Sequence, residues 1–179
     1  MNKKNLIWID LEMTGINFNI DKIIEIATVI TDKNLNILSK GPNLVIHQSY
    51  ETLKLMNKWN QKIHSSTGLI EKIKKSKNNE KIAEIKTINF LKKWVPYNSS
   101  PMCGNTVSQD RFFLTKNMPN LEKYFHYRSI DVSSLKELAV RWKPDIFKKF
   151  FKKYKHSAME DIMESIYELK FYRKHFIKI

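Results

Sequence analysis

Two periods of apolar spacing follow one another along the chain and divide it into a strand-rich beginning and a helix-rich remainder. Leu6-Ile7-Trp8-Ile9 is a β-branched run that closes on Asp10-Leu11-Glu12. The stretches Asp21 to Thr31 and Leu35 to Ser39 are β-rich and flank the turn-like Asp32-Lys33-Asn34, so they predict a hairpin. Leu44 to His47 follows Gly41-Pro42 and predicts the end of a third strand, bent at that dipeptide. From Tyr50 the spacing changes to three and four residues. Leu69, Ile70 and Ile73, then Ile82, Ile85, Ile88, Leu91, Trp94 and Val95, mark the inner faces of helices, and Lys72 to Lys81 reads as a solvated helix end and loop. Pro96 stops the last of these. Met102-Cys103 predicts a short strand, Val107 to Asn117 a helix, and Tyr127 to Ile130 a further strand. Asp131 or Ser133 can cap a helix reaching Trp142, Pro144 opens a short helix, and Ser157 to His175 forms the last long one. The pattern predicts one α/β or α+β domain over residues 1–179, with a mixed sheet.

The first strand carries the most informative break in this pattern. Side chains of a strand alternate, so Asp10 and Glu12 point to one side. Two carboxylates at the end of an otherwise apolar strand repel one another unless a cation lies between them. An isolated Asp-x-Glu is usually a pair of solvated acids on an edge strand, but two further acids change the reading. Asp110 falls in the first turns of one predicted helix, and Asp161 falls early in the last one. Each alone is an ordinary first-turn acid, favoured by the helix dipole. As a set, the four stand at strand ends or helix starts, where α/β sheets gather functional side chains. Four carboxylates without a cysteine cluster select a hard cation such as magnesium or manganese. His156 is five residues from Asp161, so the two share a site only if His156 precedes the helix. A histidine on a loop there can serve as a general base; the plain alternative is a surface histidine pairing with Glu160.

Composition adds boundaries. The 179 residues are 42% apolar and 12% aromatic, enough for a full core. Cys103 is the single cysteine, which excludes an internal disulfide and a cysteine-held zinc. No apolar run reaches 18 residues and the first residues do not form a signal peptide, so a soluble, cytoplasmic protein without a membrane partner is expected. The net charge of +14 permits a polyanionic partner. Only four of the 32 basic residues are Arg, and the abundance of Lys, Asn and Ile matches A- and T-rich codons, so mutational drift accounts for the charge equally well.

Three motifs in order resemble those of the oligoribonucleases, small exonucleases of the DEDD superfamily with a histidine in the last motif. They are Asp10-Leu11-Glu12-Met13-Thr14-Gly15, Gly104 to Asp110, and His156-Ser157-Ala158-Met159-Glu160-Asp161. Flanking matches include Ile24-Glu25-Ile26-Ala27, Trp59-Asn60, Trp94-Val95-Pro96, Tyr124 to Arg128 and Arg141-Trp142-Lys143-Pro144. The resemblance implies a ribonuclease H-like α/β fold, a mixed five-stranded sheet flanked by helices. It implies a homodimeric 3′-to-5′ exoribonuclease that degrades short RNAs, chiefly dinucleotides, to nucleoside 5′-monophosphates. Asp10, Glu12, Asp110 and Asp161 would hold two divalent ions, Mg2+ or Mn2+, and His156 would take the proton of the attacking water. Ile16 stands where a wedge between two bases is placed, and Trp59 and Tyr127 would stack on bases, Tyr127 from the other subunit. His64 would lie on the 3′ side. Thr106, Arg128, Ser133 and Lys136 resemble a pocket capping the 5′ phosphate, the last three assigned to the region after the final strand, with Arg128 a further candidate for action across the interface. Thr106 replaces the usual Ser and Ile16 the usual Leu. Two other functions compete with this one: a related exonuclease acting on longer single strands, and a basic RNA-binding protein without catalysis.

Overall fold

The computed structural model describes residues 1–147 and 157–178. Its first three strands, β1 (Leu6–Met13), β2 (Ile23–Thr31) and β3 (Ile37–Val45), form an antiparallel meander. Four helices follow: α1 (Tyr50–Lys54), α2 (Lys58–Ser66), α3 (Leu69–Lys75) and α4 (Glu80–Leu91). Strand β4 (Met102–Gly104) then pairs parallel to β1; after it come α5 (Val107–Asn117) and α6 (Pro119–Glu122). Strand β5 (Ser129–Asp131) pairs parallel to β4 and leads into α7 (Val132–Trp142), α8 (Pro144–Phe147) and, beyond the undescribed residues, α9 (Ala158–His175). The sheet is mixed and five-stranded, in the order β3-β2-β1-β4-β5.

Alternation in β1 divides the core. Ile7, Ile9 and Leu11 pack with Val107, Phe113 and Leu114 of α5 on one face. Trp8 lies on the other face with Ala158, Ile162, Ile166 and Tyr172 of α9. Asp10 and Glu12 share the register of Trp8, which puts both carboxylates on the side of the sheet that α9 covers. β2 is buried along its whole length, including Glu25, which is paired across from Glu12.

Several element ends differ from the sequence reading for identifiable reasons. The two apolar runs around Gly41-Pro42 belong to one strand, β3, as the sequence indicated, but it ends at Val45, before Ile46 and His47, and its register with β2 shifts between the Ala27 and Val29 pairings. Leu35 is no strand residue: it is buried in a left-handed turn (φ 69°), with the Asp32 carboxylate accepting from the Asn34 and Asn36 amides. α4 buries Ala83, Glu84, Thr87 and Leu91, while Ile82 and Ile85 are exposed. Glu84 faces inward because it accepts from the backbone amides of Asn120 and Leu121 at the start of α6, and that contact turns the two isoleucines out. The last strand begins at Ser129, so Tyr127 and Arg128 stand in the loop before it.

Candidate active site

Asp10 and Glu12 meet Asp161 because α9 starts over the even-numbered face of β1. One carboxylate oxygen from each of the three lies within 4.8 Å of the others. Asp110 arrives from the opposite layer, and the shortness of β4 lets it in. β4 pairs with β1 only at Ile7 and Trp8, so the β1 edge beyond them lacks a strand partner on that side. The Leu11 amide on this edge donates to Asp110 Oδ1 at 2.9 Å. Gly104 permits the close approach, since a Cβ there would stand 3.0 Å from the Ile9 carbonyl oxygen.

The electrostatics of this cluster are those of charges held against their own repulsion. Burial first, and then the charges of Asp161, Glu25 and Asp110, push the Glu12 carboxyl up to about 8. Burial and then Asp110, Glu12, Asp161 and Glu25 hold Asp10 well above the usual carboxylate range. Asp110 is raised to about 7 by burial, against the Leu11 amide that favours its charged form. Such a set is relieved by protons or by cations, and an all-oxygen donor set fits hard divalent ions. The residues present therefore fit a divalent metal centre.

Glu25 is the member that sequence reasoning missed. It is 4% exposed, and its Oε2 accepts from the Ala158 amide at 3.2 Å, tying β2 to the first residue of α9. A carboxylate inside a nine-residue strand that is otherwise apolar or Thr was the available signal. His156 lies outside the described residues; α9 begins two residues after it, with Ser157 at its N-cap.

The remaining candidates fall into three groups. Ile16, Trp59 and His64 line one groove together with Glu12, Leu11 and Met13. Ile16 and Trp59 are exposed there, whereas His64 is buried with its Nε2 3.1 Å from the Met13 carbonyl. Asn60, also missed, donates to the Thr14 carbonyl at 2.9 Å and so fixes α2 against the end of β1. The segment that presents Ile16 is pinned by Asp21, which accepts from the Thr14 hydroxyl and the Asn17 amide.

Thr106 and Ser133 form the second group. Their hydroxyls are 3.1 Å apart, and the Thr106 amide donates to Asp131 Oδ1 and Ser133 Oγ. Thr106 has φ 52°, a left-handed conformation strained for a β-branched residue. Asn105 anchors this pair to α9: its Nδ2 donates to Ser165 Oγ and to the fully buried Glu168, and its Oδ1 accepts from Ser133. Lys136 follows Ser133 by three residues on α7, on the same face.

Tyr127 and Arg128 form the third group, and Arg128 precedes the last strand, whereas the sequence reading places it after that strand. Ser129 pairs with Met102, and Met102 with Ile7, so Tyr127 stands level with the beginning of β1. Asp10 lies five residues further on, about 16 Å along the strand direction. The Arg128 guanidinium sits 5.4 Å from the centre of the Tyr127 ring, and Tyr127 is 73% exposed.

The match to known proteins agrees with this arrangement. The family model described as Exonuclease matches residues 7–169. The zinc-bound form of Escherichia coli exonuclease I in complex with single-stranded DNA shares the fold, with a TM-score of 0.73 at 18% identity over 97% of this chain. This chain spans 41% of that one's length. The chain belongs to the exonuclease family and is a nuclease of the ribonuclease H-like fold. Within it, the oligoribonuclease of Haemophilus influenzae is 60% identical over 178 residues, covering 99% of this chain and 98% of the relative. That of Pasteurella multocida is 59% identical over 179 residues, covering 100% and 97%. These relatives put the chain in the oligoribonuclease group. No helix among the described residues is long and apolar enough to cross a membrane.

Proposed function

We propose that this chain is a cytoplasmic 3′-to-5′ exoribonuclease, one domain over residues 1–179, that hydrolyses short oligoribonucleotides, chiefly dinucleotides, to nucleoside 5′-monophosphates. The observation that carries the reading is the approach of Asp10, Glu12 and Asp161 to within 4.8 Å, with Asp110 seated on the adjoining strand edge. These four would hold two divalent ions, magnesium or manganese, which when bound supply activation of water and neutralisation of charge at the scissile phosphate. His156, before α9, takes the proton of the attacking water.

The groove beside Glu12 accepts the bases. Ile16 enters between them, Trp59 stacks on one, and His64 borders the 3′ end; stacking is tolerant of sequence because every base has a π-face. The Thr106, Ser133 and Lys136 group receives the 5′ phosphate, which limits length because a longer chain has no room for its next nucleotide. Tyr127 stands about 16 Å along the strand direction from Asp10 of its own subunit, so its stacking role belongs in the site of a second copy. Arg128, beside it, acts across the same interface, and the active form is a homodimer. Linear dinucleotides derived from cyclic signals fit the same site.

The test compares a 5′-phosphorylated RNA dinucleotide with a seven-nucleotide RNA, with manganese and with chelator, using Asp110→Ala as control. Fast metal-dependent release of monophosphates from the dinucleotide, slower on the longer RNA and absent in the variant, is the expected result. Preference for the longer strand would make the chain a general exonuclease and remove the phosphate cap. No cleavage of either would favour an RNA-binding role.

A further inference from the structure

One half-buried arginine that the proposed chemistry does not use joins the carboxylate cluster to the loop before β5. Arg111 follows Asp110 on α5, and its side chain is 20% exposed. Its Nη1 pairs with Glu122 Oε1 at 2.7 Å, which fixes the plane of the guanidinium. Its Nη2 donates to two backbone carbonyls, His126 at 3.0 Å and Arg128 at 3.3 Å. These two residues flank Tyr127. Beyond Arg111, the loop is tied down at its ends, where the His126 amide donates to the Ser100 carbonyl and the Met102 amide to the Arg128 carbonyl. Within it, the Arg128 amide donates to His126 Nδ1 at 3.2 Å.

We propose that Arg111 is a positioning residue that holds the arch of residues 126–128 in the shape that presents Tyr127 to substrate. The inference rests on the function proposed above and adds to it a physical link between the helix that carries a metal ligand and the loop that serves the neighbouring site. A guanidinium suits this task because its fork of fixed N–H groups serves an acid and two carbonyls in one set geometry, whereas a lysine ammonium on a shorter, flexible stem fixes no such plane. Arg111 touches no reacting atom, so its loss should act through Tyr127 and leave the metal ligands in place.

Arg111→Lys, Tyr127→Ala and the double variant, each as the full chain, separate these roles. In Arg111→Lys, backbone hydrogen exchange of the segment 126–129 should rise about tenfold, the scale of one charge-assisted hydrogen bond. KM for the dinucleotide should rise by a similar factor, with kcat within threefold and manganese affinity within twofold. In the Tyr127→Ala background the same substitution should add nothing to KM. Unchanged exchange would overturn the proposal. So would a KM cost that adds to that of Tyr127→Ala, or a fall in manganese affinity in step with KM, which would mean that Arg111 acts through α5 and Asp110. If Arg111→Lys does not fold, Glu122→Gln frees the guanidinium more gently and should shift exchange and KM in the same direction by a smaller factor; no shift overturns the proposal. An unmodified chain that leaves the dinucleotide intact would defeat the proposed function, while the exchange measurement would still decide whether Arg111 holds the loop.

Discussion

The carboxylate end of β1 and the Tyr127 loop solve opposite folding problems. At the first, burial and the neighbouring carboxylates of Asp110, Asp161 and Glu25 raise the proton affinity of Asp10 and Glu12, and the surrounding sheet and two helices hold the group there. At the second, an exposed aromatic ring and an arginine stand in water, and their presentation costs the fold little. The comparison teaches that charge is concentrated where sheet and helices enclose it, whereas the surface proposed to contact bases is placed where it is cheap to expose. Substitutions in the first region should therefore change chemistry and pH behaviour, and those in the second mainly affinity.

The largest effect is expected at the cluster. Asp110→Ala should lower turnover by more than about 100-fold, the upper range for losing even an outer partner of a metal site, and should abolish manganese binding measured by calorimetry. A variant that binds and turns over normally would remove Asp110 from the site.

Next comes pH. In the metal-free protein Glu12 and Asp110 titrate at about 8 and about 7, above their unfolded values. The folded state then binds more protons than the unfolded state between roughly pH 4 and 8, so stability is greatest at the acid end of that window and falls as pH rises through it. The melting temperature of metal-free protein should decline from pH 5.5 to pH 8 on the order of several degrees. Manganese should cancel the decline and release protons on binding at pH 7, which calorimetry in buffers of different ionisation enthalpy would detect. A flat metal-free profile would contradict the cluster's electrostatics.

Trp59→Ala and Tyr127→Ala should each raise KM about tenfold, the worth of one base stack, with little change in kcat. Their difference sharpens the contrast between regions. In dimers mixing Tyr127→Ala with Asp110→Ala subunits, the site that keeps Asp110 receives Tyr127 from its partner and should regain the unmodified KM, so a KM still raised about tenfold would deny a shared site.

Glu25→Gln should act more weakly. It keeps an oxygen for the Ala158 amide but removes one charge facing Glu12, so metal-free stability at pH 8 should rise and the pH profile of turnover should move to lower pH by a fraction of a unit. The smallest effect is expected for Thr106→Ser, which retains the hydroxyl and relieves a β-branched residue at positive φ: a gain of a few tenths of a kcal/mol and a KM within about twofold.

Much of this was legible in the sequence. The alternation of Leu6 to Glu12, the helical spans Val107–Asn117 and Ser157 to His175, and the capping by Asp131 all follow from periods and caps that a short window contains. That Asp10 and Glu12 share a face required only the period of a strand. The exposure of Ile82 and Ile85 was not legible, because apolar spacing cannot show that Glu84 will be drawn inward by the start of α6. Neither was the role of Glu25, whose partners are 13 residues away at Glu12 and 133 residues away at Ala158.

What the sequence determined by itself, then, is local: which residues alternate, which helices start where, and which side chains bring carboxylate chemistry. Tertiary structure decided how those pieces meet. The early end of β4 opens the β1 edge to Asp110, the placing of α9 brings Asp161 to the acids of β1, and the late start of β5 sets Tyr127 and Arg128 apart from Ser133. The reason is one of range: dihedral preference and periodicity act over a few residues, whereas register, strand length and the pairing of buried charges depend on segments a hundred residues apart reaching a single packed arrangement.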